Sequence, residues 1–108
     1  MRKATRPVTM LCTYRPKKGK EKELFALVKK HWGTLNRIGL ATKEPATVYR
    51  ATDKESGRLF FVEIFSWRDE RASAVAHQTP EVMAIWKPMM PILASMELAV
   101  IEPVRGIA

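Results

Sequence analysis

Glu63, Trp67, His77 and Trp86 are the side chains of this 108-residue chain best placed to do chemistry, and all four fall in one run, Leu59 to Trp86. An imidazole gains or loses a proton near neutral pH. His77 stands where one predicted helix ends and the next begins, so it is either an acid–base group or a residue bonding the helix end. Glu63 interrupts an apolar strand, where its carboxylate either accepts a proton or pairs with Arg50 on the neighbouring strand. Trp67 and Trp86 either stack on a flat ligand or pack as core. Tyr14 and Tyr49 either offer hydroxyls to a cavity or lie as ordinary strand residues. His31 falls on the apolar stripe of a predicted helix and reads as a histidine packed against a neighbour. Cys12 has no activating neighbour in sequence and reads as a small buried apolar residue.

These residues need elements to position them, and the pattern supplies four strands and a helix on either side of the central pair, the second helix in two pieces. Val8 to Arg15 alternates with period two, the mark of a strand, and Pro16–Gly19 turns the chain. From Lys20 the period becomes helical. Leu24, Leu27, Val28, His31, Trp32 and Leu35 share a stripe that runs to about Asn36, with Gly39 as terminator. Leu40–Pro45 connects to a second strand, Thr47–Thr52. A polar turn, Asp53–Gly57, leads to a third, Leu59–Ser66, and the tightness of that turn predicts antiparallel pairing. After a turn at Trp67–Asp69, Asp69 is the expected N-cap of a helix ending near His77. Thr79-Pro80-Glu81 restarts a helix, which Pro88 and Pro91 are expected to break. Met96–Val104 is the fourth strand. The order βαββαβ predicts one ferredoxin-like α+β domain over residues 1–108: an antiparallel sheet, both helices on one face, and right-handed crossings.

Composition narrows the partners. A 46% apolar content suits a globular domain. No run approaches the ~20 apolar residues of a membrane span, and the first ten residues have no apolar core of a secretory signal behind their charges. One cysteine rules out an internal disulfide and a multi-cysteine metal site. A reducing, cytoplasmic setting follows as the expectation. The net charge of +8 is local. Residues 1–30 hold ten Lys/Arg against two acids, whereas residues 31–108 hold nine of each. The excess sits in an N-terminal arm (Arg2, Lys3, Arg6), expected to fray, and in the Arg15–Lys30 region. No aromatics interleave with those lysines to stack bases. The third strand also fails the RNA-recognition pattern, with Gly57, Arg58, Leu59 and Phe60 at its first four positions. Nucleic acid is therefore not the expected partner. Nucleotide-binding glycine loops, a Ser-His-Asp elbow and HExxH are all missing from the sequence.

The third strand is apolar on both faces. Phe60, Val62 and Ile64 point one way; Leu59, Phe61 and Phe65, with Glu63 among them, point the other. One face packs on the helices. The second requires a cover that this chain cannot spare, so a two-fold homodimer through the open sheet face is expected. On that reading Glu63 lies in or near the enclosed space between sheets, where a carboxylate must be paired, protonated or facing a cavity.

The run Phe61-x-Glu63-x-x-x-Trp67-x-Asp69-(x)7-His77-x-Thr79-Pro80, with the basic turn Arg15-Pro16-Lys17-Lys18-Gly19-Lys20, resembles the antibiotic biosynthesis monooxygenase-like group of dimeric α/β barrels. The likeness spans about residues 8–103. It implies a homodimer with a cavity between sheet and helices in each subunit. It also implies a cofactor-independent monooxygenase acting on a small aromatic or polyketide-like molecule, with no bound metal or flavin. The haem-degrading branch carries an Asn on its first strand; Val8–Arg15 has none, and His77 precedes Trp86, the reverse of that branch's order. Oxidation by O2 without a cofactor needs a base, hydrogen bonds to the substrate anion and a dry pocket. On the resemblance, His77 and Glu63 become the catalytic candidates, and Trp67, Trp86, Tyr14 and Tyr49 the substrate-binding ones. The alternative is a non-catalytic, dimeric small-molecule-binding or accessory protein of the same fold.

Overall fold

A computed structural model describes residues 6–107. The basic arm expected to fray lies outside them except for Arg6. Strand β1 (Val8–Pro16) and helix α1 (Glu21–Arg37) come first, followed by the hairpin of β2 (Thr47–Thr52) and β3 (Leu59–Trp67). Two helices, α2 (Ala72–Ala76) and α3 (Pro80–Met89), and a 3₁₀ turn at Met90–Ile92 then lead into β4 (Leu93–Val100). All pairings are antiparallel and the sheet order is β2-β3-β1-β4, the ferredoxin-like arrangement. The sheet is open. No helix among the described residues is long and apolar enough to cross a membrane.

The α1 stripe buries Leu24, Val28, His31 and Leu35 at spacings of four, three and four, which keep one face on the sheet. The helix ends in a paired-carbonyl cap. Gly39 takes a positive φ of 80° and its N–H bonds Asn36, while the Leu40 N–H reaches back to Leu35 at 2.8 Å. Leu40 and Ala41 then run beside the end of β3, through Arg68 N–H to Leu40 O and an Ala41–Trp67 bridge. The carboxylate of Asp53 closes the β2–β3 turn by accepting the N–H groups of Glu55 and Ser56.

Three expectations change. Asp69 does not cap α2 directly: its carboxylate accepts the Arg71 N–H at 2.9 Å and closes the preceding turn, so the helix starts at Ala72. Pro88 does not break α3. The helix loses one bond there, but the Met90 N–H still reaches the Trp86 carbonyl, and the chain leaves the helix only at the 3₁₀ turn holding Pro91. β4 consequently starts at Leu93, opposite Pro16, and ends at Val100, opposite Met10, because β1 offers few further partners before its own first residue. The expected span Met96–Val104 is thus displaced towards the N-terminus.

The face of β3 that meets the helices is Phe61, Glu63, Phe65 and Trp67, all buried, whereas Phe60, Val62, Ile64 and Ser66 on the open face are half-buried. Glu63 therefore lies beneath the helices and not on the open face between sheets. Its partners explain the placement: they come from α1 and β1, and the open face offers it none.

Candidate functional site

Between the helices and the sheet lies a cavity of about 370 Å³. Cys12 and Tyr14 line it from β1, Phe65 and Trp67 from β3, His31 from α1, His77 from the end of α2, and Trp86 and Lys87 from α3. Five methionines (10, 83, 89, 90 and 96) complete an apolar wall of flexible thioethers that can adapt to a ligand's outline. The cavity is open on the β4 side. Met96, Leu98 and Val100 pair with helix-facing residues of β1, yet Leu98 is 57% and Val100 70% exposed.

One chain of hydrogen bonds runs from the core to the cavity. Tyr14 donates its hydroxyl to Glu63 Oε1 at 2.7 Å, and His31 Nδ1 lies 2.9 Å from the same oxygen. At the other edge of the ring, Trp86 Nε1–H lies 2.9 Å from His31 Nε2. An indole nitrogen only donates. His31 Nε2 must therefore carry the lone pair, and Nδ1 the proton given to Glu63. Glu63 is wholly buried, His31 nearly so, and Glu63 Oε2 has no partner among the described residues. Burial, reinforced by the charge of Glu63, pushes the Tyr14 phenol far above its ordinary range and the Cys12 thiol up to about 12. Both stay protonated: Tyr14 is a fixed donor and Cys12 is no nucleophile.

Aromatic rings hold the mouth of this chain. The Trp67 and Trp86 rings are 6.5 Å apart and perpendicular, Phe65 packs edge-on to Trp67 at 5.0 Å, and His77 packs against Trp86 at 4.8 Å. His77 combines both readings of its sequence position. It bonds the Ser73 carbonyl through Nδ1 at 2.9 Å, and its ring lines the cavity.

Of the residues singled out from sequence, Tyr14, Trp67, His77 and Trp86 line one cavity. Glu63 stands behind it, linked to His77 only through His31 and Trp86, and it does not pair with Arg50, whose guanidinium lies over the Phe25 ring. Tyr49 is not at the site. It pairs with Val62 on the open face and is 55% exposed. His31, read from sequence as a packed helix histidine, is the centre of the polar chain. The available signal was two polar residues, His31 and Glu63, at core positions of facing elements, where each must find a partner. Among the described residues no group of three or more His, Cys, Asp and Glu is placed to hold a metal ion.

No family model and no curated protein matches the chain. Solved structures do. SnoaB, a cofactor-independent oxygenase from Streptomyces nogalater, superposes with a TM-score of 0.67 at 19% identity, covering 94% of this chain and 95% of that one. A protein from Bacteriodes thetaiotaomicron, provisionally named an antibiotic biosynthesis monooxygenase, gives 0.67 at 16% identity over 94% of both chains. Another antibiotic biosynthesis monooxygenase gives 0.68 at 12% identity, covering 90% of this chain and 98% of that one. The fold is that of this group across nearly the whole chain, and at these identities the likeness is one of fold alone.

Proposed function

We propose that this protein is a cofactor-independent monooxygenase of a small aromatic or polyketide-like molecule, working in the cytoplasm as a homodimer. The observation that carries the reading is His31: an imidazole oriented by a buried carboxylate, lining an apolar, tryptophan-walled cavity, with its lone-pair nitrogen met by the Trp86 indole. The cavity volume falls in the range of small-molecule sites. His31 Nε2 takes a proton from an acidic CH2 of the substrate, and Glu63 steadies the imidazolium that forms. The substrate anion gives its electrons to O2 and a C–O bond forms. His31 returns the proton, and loss of water from the hydroperoxide leaves a ketone; one CH2 and one O2 become one C=O and one water. His31 takes precedence over His77 as the base because it is buried and held by a carboxylate, whereas His77 is exposed and held by a backbone carbonyl.

The homodimer rests on the open sheet face, where Leu11, Phe60, Val62 and Ile64 are half-buried in the single chain and need a cover. One observation favours the alternative, a non-catalytic binding or accessory protein: the lone pair of His31 is already occupied by Trp86. Oxygen uptake with anthrone-type substrates separates the two. The enzyme consumes one O2 per ketone formed; a binding protein shifts the substrate's absorbance without consuming O2.

A further inference from the structure

Trp86 holds the one nitrogen that the proposed chemistry needs. Its Nε1–H lies 2.9 Å from His31 Nε2, so no substrate proton can reach that lone pair while the bond stands. The bond also bars an imidazolium, because a second proton on His31 would set two N–H groups head to head. The other titratable groups sharing the cavity are Cys12 and Tyr14 from β1, His77 from the end of α2 and Lys87 on α3. Cys12 and Tyr14 are held protonated, and the His77 ring packs edge-on to Trp86 at 4.8 Å. Beyond that bond the indole is held by ring contacts and packing alone. It is half-buried, it lines the cavity, and its other ring contacts, with Trp67 and His77, are edge contacts without a hydrogen bond.

We infer that Trp86 is a positioning residue that masks the base: its indole N–H occupies the His31 lone pair, and a ligand bearing an acidic O–H, a phenol or the enol form of the acidic CH2 substrate, engages His31 by displacing it. The claim rests on the reading of His31 as the base, and it deepens that reading by naming the hydrogen-bond donor a ligand must carry. It requires no turnover to test.

The test is NMR of the full chain labelled with ¹⁵N and with ¹³C at the methionine methyls, following the His31 ring nitrogens, the Trp86 indole N–H and the methyl signals. In the wild type, His31 shows one protonated nitrogen and one lone-pair nitrogen at pH 7. In Trp86→Phe, which keeps an aromatic ring but has no donor, the lone-pair nitrogen is released and its signal moves away from the hydrogen-bonded position. Titration of the wild type with 2-naphthol moves the indole N–H and His31 Nε2 signals together; 2-methoxynaphthalene, with no O–H, moves the cavity methionine methyls and leaves those two signals in place. The mask is overturned if His31 in Trp86→Phe keeps the wild-type pattern. It is equally overturned if saturating 2-naphthol shifts the methionine methyls and not the Trp86–His31 pair. Should the variant not fold, the wild-type titration decides; should 2-naphthol not bind, the variant decides. Failure of oxygen uptake leaves these signals untouched, so the mask and the oxygenase reading fail separately.

Discussion

Glu63 is the side chain on which the polar interior depends. It is wholly buried, and one oxygen accepts both the Tyr14 hydroxyl and the His31 Nδ1–H. Removing it strands two buried donors, so Glu63→Ala should cost about 3 kcal/mol of stability by urea denaturation. Tyr14→Phe, which removes one donor and leaves its acceptor otherwise bonded, should cost only about 1 kcal/mol. Cys12 makes a prediction in pH. Its thiol is raised from 9.0 to about 12 in the folded protein, so between those values the unfolded chain has lost the proton and the folded chain retains it. Stability therefore falls as pH rises through this window, and Cys12 contributes no slope below it. Urea midpoints measured from pH 8 to 11 should decline in the wild type and decline less in Cys12→Ala.

The elements show how much of this was legible in sequence. The strand–turn–strand run 47–66 and the helical stripe of α1 follow from periodicity and turn residues, and the structure has them within a residue or two. The facing of β3 does not follow. Phe60, Val62 and Ile64 are as apolar as Phe61 and Phe65, so alternation defines two faces without saying which one the helices take. Tyr49 is misplaced for the same reason. The site is legible in its parts but not in its assembly: Trp67, His77 and Trp86 are visible as a cluster, while His31 meets Glu63 across 32 residues of chain. Pro88 misleads because a proline near a helix end removes one bond without removing the turn around it. The cap of α1 gives this scale its own prediction. Gly39 holds a φ of 80° with open space where a Cβ would stand, so Gly39→Ala carries conformational strain alone, about 1 kcal/mol, read as a lowered Tm.

At the scale of the whole molecule, the helices cover one face of the four-stranded sheet and leave uncovered the other, where β3 presents Phe60, Val62 and Ile64. On the proposed dimer, light scattering gives a mass near twice the 12.3 kDa of the chain, and Val62→Lys on the open face returns it towards one. The same architecture puts the cavity on the opposite face of the sheet, walled within one chain by α1, α3 and β1, so a dissociated variant keeps its site residues together. In the proposed reaction His31 is the group that takes the substrate's proton. Its most direct test is the initial rate of O2 consumption with an anthrone substrate for the wild type, His31→Ala and His77→Ala, each confirmed as folded. The expected result is a loss of roughly 10²–10⁴-fold in His31→Ala, the scale of general base catalysis, with His77→Ala within a few-fold of wild type. A His31→Ala variant that consumes O2 at the wild-type rate would contradict the account.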